Sequence, residues 1–201
     1  MRIGFDFDNT IVCYDQTIAR LADELFDFPK ELPRTKLALR DHLRKLGREP
    51  VWTAFQGELY GPGMAYAEPF EGCIETLQEF KSAGFHMYIV SHRSRHPYAG
   101  PAYDLHAFAR QWVQDHLVKK GLFHTSDVYF NETRKEKVAV IAGLGCTVFF
   151  DDLPEVFEEP SFPKETCPVL FGPQKASTYV KNYMVATDWQ EFPAIIRILT
   201  T

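Results

Sequence analysis

Two aspartates, Asp6 and Asp8, directly follow a short apolar strand predicted near the amino terminus, and Thr10 comes two residues later. Side chains alternate along a strand, so the two carboxylates are expected to point to the same side. Carboxylates held this close repel each other unless a cation or a shared proton offsets the repulsion. Mg²⁺ is the usual partner of ligands that are all oxygen, so the pair predicts a magnesium site. A structural interpretation also exists, because Asp and Asn often end strands by forming turns.

A second pair of acids, Asp151 and Asp152, follows another apolar strand, predicted over residues 147–150. The carboxyl ends of neighbouring parallel strands meet at one edge of a sheet. We therefore expect Asp6, Asp8 and one member of the later pair to share a single metal ion.

The apolar segments along the chain follow a pattern that is typical of an α/β protein. Strands are predicted over residues 85–90, 127–130, 147–150 and 169–171, in addition to the first strand. Helical segments separate most of them, and strands that alternate with helices indicate a parallel sheet. The predicted fold is a Rossmann-like core of three layers, with a mainly parallel sheet of about five strands.

The strand predicted over 85–90 is followed by a hydroxyl side chain, that of Ser91, and then by a run of basic side chains that includes His92, Arg93 and His96. A buried parallel strand places such residues at the carboxyl edge of the sheet, where open α/β folds bind ligands. The alternative interpretation is a solvent-exposed loop, since basic runs are often exposed.

Three cations crowd the start of the helix predicted over 134–144, namely Arg134, Lys135 and Lys137. Cations at a helix amino terminus oppose the helix dipole, at a cost of a few tenths of a kcal/mol each. The sequence shows no local compensation for this cost, so the arrangement predicts that an anion binds nearby.

Residues 15–66 contain no predicted strand. The spacing of apolar side chains predicts three helices there, near residues 18–25, 35–46 and 52–59. These helices either pack on the sheet or form a small module of their own. We predict the module, so that residues 1–14 and 67–201 form the α/β core and residues 15–66 form a helical insertion.

The four polar segments resemble, in order, the motifs of the haloacid dehalogenase (HAD) superfamily of phosphohydrolases. The first motif, Asp-x-Asp-x-Thr after a hydrophobic strand, is matched by Asp6, Asp8 and Thr10. The second motif is matched by Ser91. The third is matched by Lys137, with Lys135 as the alternative, and the fourth by the pair Asp151 and Asp152. One departure is Asn9, where many members carry glycine; asparagine also tolerates turn conformations.

The resemblance implies a role for each matched residue. Asp6 would be the nucleophile that forms an aspartyl-phosphate, and Asp8 would act first as general acid and then as general base. The implied ligands of Mg²⁺ are Asp6, Asp8 and Asp152. The residues implied to bind or orient the phosphate are Thr10, Ser91 and Lys137. Asp151 would support the site. The order of Asp151 and Asp152 stays open. His92 and Arg93 are candidates for contact with the leaving group.

The implied activity is the Mg²⁺-dependent hydrolysis of a small phosphomonoester, such as a nucleotide or a sugar phosphate. In one subclass of the superfamily, a helical cap between the first two motifs closes over small substrates and excludes water, and residues 15–66 occupy that place. Two alternatives stay open: a phosphomutase or phosphotransferase of the same superfamily, and a catalytically idle member that binds a metal or a partner.

Composition narrows the class of partners. The net charge is −5, so no electrostatic attraction to nucleic acid or to an anionic membrane is expected.

The four cysteines are widely spaced and form no Cys-x-x-Cys motif, which is typical of reduced thiols in a cytoplasmic protein. No apolar run approaches the length of a membrane span. We expect no signal peptide, because the first strand begins at residue 2 or 3.

Overall fold

The computed structural model describes residues 1–26, 28–172 and 183–200. α-Helices and strands alternate over residues 73–171. In chain order the strands are β1 (Arg2–Phe5), β2 (Val12–Cys13), β3 (Glu68–Pro69), β4 (His86–His92), β5 (Val128–Asn131), β6 (Val148–Asp151), β7 (Cys167–Phe171) and β8 (Met184–Ala186). The α-helices are α1 (Asp15–Glu24), α2 (Lys36–Lys45), α3 (Glu49–Tyr60), α4 (Cys73–Ser82), α5 (Leu105–Val113), α6 (Arg134–Leu144), α7 (Pro154–Phe157) and α8 (Phe192–Thr200).

Six of these strands form one sheet in the order β5-β4-β1-β6-β7-β8. Every neighbouring pair in it is parallel. The first strand in the sequence therefore lies inside the sheet, where Phe5 pairs with Ile89 of β4 and Phe150 of β6. The predicted Rossmann-like α/β fold is confirmed. The sheet has one strand more than the five predicted, because the segment before the last helix contains β8.

Aromatic side chains fill one face of this sheet. Phe5 stacks on Phe150 with ring centroids 5.3 Å apart, and Phe150 stacks on Phe192 of α8 at 3.9 Å. Trp189, in the 3₁₀ turn before α8, also packs against Phe5 and Phe192. All four rings are buried, so this cluster fixes α8 against the sheet through the hydrophobic effect.

Successive residues of a strand point to opposite faces, and the second face of the sheet carries α6. Val138 and Ile141 of α6 are buried in one cluster with Val90 of β4 and Phe149 of β6. Gly4 is needed at this point of β1, because a Cβ there would lie 2.4 Å from Cδ2 of Phe149. Helix α6 thereby packs on this face of the sheet, where it contacts β4 and β5.

The chain divides into two compact units. The α/β unit comprises Met1–Val12, Pro69–Arg93 and Asp115–Thr201, and the helical unit comprises Cys13–Glu68 and Ser94–Gln114. The segment that follows β4 thus belongs to the helical unit together with residues of the predicted insertion. Helix α5 is followed directly by a π-helical turn at Gln114–Val118.

Buried aromatic residues also organise the helical unit. Trp52 and Phe55 of α3 stack with centroids 5.6 Å apart, and Leu39 and Leu43 of α2 are buried as well. The indole of Trp112 in α5 donates a 2.7 Å hydrogen bond to the carbonyl of Ala67, which ties the second segment of the unit to the first. Among the described residues, no helix combines the length and apolar character required to cross a membrane.

Candidate functional site

Acidic side chains from β1 and β6 converge at the carboxyl edge of the sheet. Asp6 follows β1 directly, and its amide donates a 2.8 Å hydrogen bond to the carbonyl of Phe150, which extends the pairing of β1 with β6. Carboxylate oxygens of Asp6, Asp151 and Asp152 lie within 4.8 Å of one another. Asp6 and the pair Asp151 and Asp152, about 145 residues apart in sequence, are brought together because β1 and β6 are neighbours in the sheet. The carboxylate of Asp8, which the sequence also predicted for this group, is not part of it.

Helix α6 adds a cation to this group. Thr133 and Glu136 form a capping box that fixes the start of the helix. Lys137 lies one turn before the buried Ile141, so the apolar face of α6 carries the lysine into the α/β core. Its ammonium donates to Oδ1 of Asp6 at 2.5 Å and to Oδ2 of Asp151 at 2.6 Å. Lys135, the alternative proposed from sequence, is exposed.

Burial sets the ionisation of these groups. Burial raises the pKa of Asp6 to about 6; the Lys137 ammonium acts in the opposite direction, and the carboxylates of Asp151 and Asp8 add to the rise. Burial alone would lower the pKa of Lys137, but its two carboxylate partners outweigh this effect and raise that pKa. Lys137 is therefore a permanent cation, while Asp6 is a weaker acid than an ordinary aspartate.

Asp8 lies in a tight turn beyond the end of β1. Asn9 has a φ of 56°, in the left-handed region that asparagine tolerates better than most residues, and its amide donates to the carbonyl of Val12 at 3.1 Å. This geometry explains why a residue tolerant of that conformation occupies the position. Nη1 of Arg93 lies 3.6 Å from Oδ1 of Asp8. Sequence reasoning found Arg93 but not its pairing with Asp8, which depends on β1 and β4 being neighbours.

Two buried hydroxyls lie in the same unit, on Thr10 and Ser91. The indole of Trp189 donates to the carbonyl of Thr10 at 2.8 Å, and the side-chain amide of Asn131 donates to the carbonyl of Ser91 at 3.1 Å. The hydroxyl oxygens themselves have no hydrogen-bond partner among the described residues. Buried polar atoms are nearly always paired with protein, water or a ligand, so these two hydroxyls are available for a ligand.

His92 lies between Ser91 and Arg93 and is partly buried. Its Nδ1 is buried and also has no hydrogen-bond partner in the described part of the chain. Burial lowers the pKa of His92, and the charge of Lys137 lowers it further, so the imidazole is neutral near pH 7. Asn131 was missed by sequence reasoning, although a polar residue at the carboxyl end of a predicted strand is a usable signal.

The carboxylate cluster favours a divalent cation. The carboxylates of Asp6, Asp151 and Asp152 lie close together, and close like charges raise the free energy of a site, which a bound divalent cation lowers. Three carboxylate oxygens within 4.8 Å form an oxygen-only donor set, so the residues fit Mg²⁺.

Known proteins share this architecture. No protein-family model matches the chain. A Bacillus cereus protein named "Putative nucleotidase" is 23% identical over 165 residues, which is 79% of each protein. A haloacid dehalogenase-like hydrolase from Streptococcus pneumoniae aligns over 97% of both chains with a TM-score of 0.62 and 15% identity.

Two further solved structures have the same fold. A HAD family hydrolase from Deinococcus radiodurans, crystallised with phosphate and sodium, covers 99% of this chain and 96% of its own, with a TM-score of 0.61 and 14% identity. A HAD-superfamily hydrolase from Ehrlichia chaffeensis covers 100% and 97%, with a TM-score of 0.56 and 14% identity. The resemblance inferred from the four motifs is thereby confirmed at the level of the fold, and this chain has the fold of the HAD-superfamily hydrolases.

Proposed function

We propose that this protein is a Mg²⁺-dependent phosphomonoester hydrolase of the HAD superfamily. The observation that carries the proposal is the contact of Lys137 with both Asp6 and Asp151, with Asp152 beside them. A buried carboxylate next to a permanent cation and an oxygen-only metal site supplies what phosphoryl transfer needs, which is a positioned nucleophile and positive charge for the phosphoryl oxygens.

Asp6, Asp152 and the backbone carbonyl of Asp8 are the proposed ligands of the ion. When bound, Mg²⁺ would supply positive charge that neutralises the phosphoryl oxygens. Asp151 is proposed to support the site, because one of its oxygens accepts from Lys137 and the other accepts from the amide of Leu153 at 3.0 Å. Asp152 is only partly buried, which suits a direct ligand better.

The proposed reaction proceeds in two displacements at phosphorus. A carboxylate oxygen of Asp6 forms a bond to phosphorus as the bond to the ester oxygen breaks, and Asp8 donates its proton to that leaving oxygen. A water oxygen then attacks the phosphorus of the aspartyl-phosphate, Asp8 accepts the proton of the water, and the bond between Asp6 and phosphorus breaks. Inorganic phosphate is released and both carboxyl groups return to their starting states.

The buried hydroxyls are proposed to hold the phosphate. Thr10 and Ser91 each carry an oxygen that has no hydrogen-bond partner among the described residues, and a hydroxyl can donate to a phosphoryl oxygen. Lys137 would stabilise the charge that develops on the phosphoryl group. His92, on the same strand end as Ser91, is a further candidate for binding within this site.

We assign substrate selection to the helical unit, as the inserted cap of the superfamily. A small phosphorylated metabolite is the proposed substrate, and nucleoside monophosphates come first because the Bacillus cereus relative is named as a nucleotidase. Sugar phosphates are the second class of candidate substrate. Transfer to an acceptor other than water would identify the protein as a phosphomutase instead.

A panel of nucleotides and sugar phosphates, assayed for phosphate release with MgCl₂ and with EDTA, tests the proposal. We expect release with Mg²⁺ and none with EDTA. The loss of turnover in Asp6→Asn should be complete, and Asp41→Asn, which alters an exposed acid on α2, should keep the wild-type rate. No release from any monoester, or release that EDTA does not affect, would contradict the proposal.

A further inference from the structure

We propose that Arg93 is a positioning residue that holds the carboxylate of Asp8 for proton transfer. The inference rests on the proposed phosphohydrolase function, because Asp8 acts as acid and base only in that reaction. It differs from the role suggested by the sequence, in which Arg93 would contact the leaving group.

The ion pair between Arg93 and Asp8 lies inside the α/β unit. The Arg93 side chain is 6% exposed and the Asp8 side chain 18%, with Nη1 3.6 Å from Oδ1. Arg95, two residues later, forms a pair with Asp104 that is much more open, since its side chain is 58% exposed. The contact between Arg93 and Asp8 is an attraction of charges rather than a hydrogen bond. Solvent screens charges in an exposed pair strongly and charges in a buried pair only weakly, so the attraction between Arg93 and Asp8 is screened less than that between Arg95 and Asp104.

The backbone that carries Arg93 is fixed by the neighbouring strand. The amide of Arg93 donates to the carbonyl of Asn131 at 2.9 Å, and the side-chain amide of Asn131 donates to the carbonyl of Ser91 at 3.1 Å. Asn131 thus binds the main chain on both sides of His92. The guanidinium carbon also lies 6.0 Å from the centre of the Phe7 ring. Strand β5 therefore fixes the backbone from which the Arg93 side chain extends, and the guanidinium lies near the ring of Phe7, the residue next to Asp8.

A fixed orientation of the Asp8 carboxylate would favour both proton transfers of the proposed reaction. Asp8 must first donate a proton and then accept one, and both transfers require a reproducible orientation of the same group. Without Arg93 the carboxylate would lose a buried cation that lies 3.6 Å from its Oδ1, so its orientation would be less restricted. Proton transfer would then be slowed in both steps while phosphate binding at Ser91 and Lys137 continued.

The leaving group of the substrate provides a specific test. Nitrophenolate departs without a proton, so p-nitrophenyl phosphate needs Asp8 only in the second step, whereas an alkyl phosphate needs it in both. In Arg93→Gln we expect a burst of about one nitrophenolate per enzyme followed by turnover about tenfold or more below wild type. The KM for the aryl ester should not rise. Acid-quenched samples should contain more aspartyl-phosphate than wild type by mass spectrometry.

Two companion variants complete the experiment. Arg93→Lys keeps a positive charge beside Asp8 but lacks the planar guanidinium group of arginine. Its turnover should therefore lie between those of wild type and Arg93→Gln. Arg44→Gln removes an arginine from an exposed ion pair with Glu49 and should behave as wild type. The lysine variant also preserves a charge partner for the buried acid, so it keeps the test interpretable where the glutamine variant folds poorly.

Three outcomes would overturn the inference. A raised KM with unchanged turnover would make Arg93 a substrate-binding residue, and unchanged kinetics would make it structural. Loss of the nitrophenolate burst in both Arg93 variants would show that the first displacement needs the arginine itself. Failure of the proposed function is a separate result, since the wild-type protein would then release no phosphate from any ester.

Discussion

The proposed active site has two halves, which differ in how many of their buried polar groups are paired with other groups of the protein. At the ends of β1 and β6, Lys137 contacts two carboxylates, and Asp151 also accepts from the amide of Leu153. At the end of β4 and in the turn after β1, the hydroxyls of Ser91 and Thr10 are buried without a hydrogen-bond partner among the described residues. We call these the paired half and the unpaired half.

This difference indicates separate tasks. A buried ion pair that is complete within the protein contributes to the fold whether or not a substrate is bound, and removing one partner leaves a buried charge alone. A buried hydroxyl without a partner costs about 1–3 kcal/mol, which a bound phosphate oxygen can offset. Variants of the paired half should therefore lose stability or chemistry, and variants of the unpaired half should lose binding.

The largest effect is expected for Asp6→Asn in the paired half. Asparagine keeps the shape of the side chain but cannot form the acyl-phosphate, so kcat should fall about 10⁴-fold or more. Phosphate release from the best substrate of the panel measures this. Residual activity within tenfold of wild type would mean that Asp6 is not the nucleophile.

Lys137→Met should cause the largest loss of stability. Methionine fills similar volume but leaves Asp6 and Asp151 without their shared cation, so the free energy of unfolding should fall by about 3–5 kcal/mol. Urea denaturation of the metal-free protein measures the change. Lys135→Met, which alters an exposed residue of the same helical turn, should stay within about 0.5 kcal/mol of wild type. Equal losses in the two variants would contradict the assignment of Lys137 to the paired half.

The raised pKa of Asp6 predicts a pH dependence for the metal-free protein. The folded state holds this proton up to about pH 6, whereas the ordinary pKa is 3.8. The stability that this proton contributes is complete below the ordinary pKa and is lost as the pH rises from there through about 6, by on the order of 3 kcal/mol. Urea titrations at several pH values measure this slope, and Asp6→Asn should flatten it.

Magnesium should change the same pH profile in the opposite direction. The ion binds the ionised carboxylate and competes with the proton, so MgCl₂ should raise Tm more at pH 7.5 than at pH 5. Differential scanning calorimetry with and without MgCl₂ provides the measurement. An equal rise at both pH values would argue against Asp6 as a ligand.

The smallest effect is expected in the unpaired half. Ser91→Ala removes a buried hydroxyl that has no partner in the described chain, so the substrate-free protein should gain about 1 kcal/mol of stability, while KM should rise about tenfold. Thr17→Val is the matched control, because the Thr17 hydroxyl is equally buried and unpartnered but belongs to the helical unit. Equal changes in KM for both variants would show that a missing partner alone does not mark a phosphate site.

The sequence predicted the positions along the chain of five of the six strands in the large sheet. The apolar runs that end at Phe5, Val90 and Phe150 are continuous, because strands covered on both faces need no polar side. Strand β8 was missed because it is only three residues long, Met184–Ala186, and lies at the sheet edge. The membership of Ser94–Gln114 in the helical unit was missed too, since it depends on long-range packing such as the bond from Trp112 to Ala67.

What the sequence determined by itself was the set of chemical groups at the strand ends. Apolar runs predict strands, and the polar residues directly after them must lie at the carboxyl edge of a parallel sheet. Only the tertiary structure decided which of these groups touch. It placed Lys137 rather than Lys135 between Asp6 and Asp151, and it paired Arg93 with Asp8. Strand order and helix rotation set these contacts, and both arise from packing between segments far apart in the chain, which local sequence patterns do not encode.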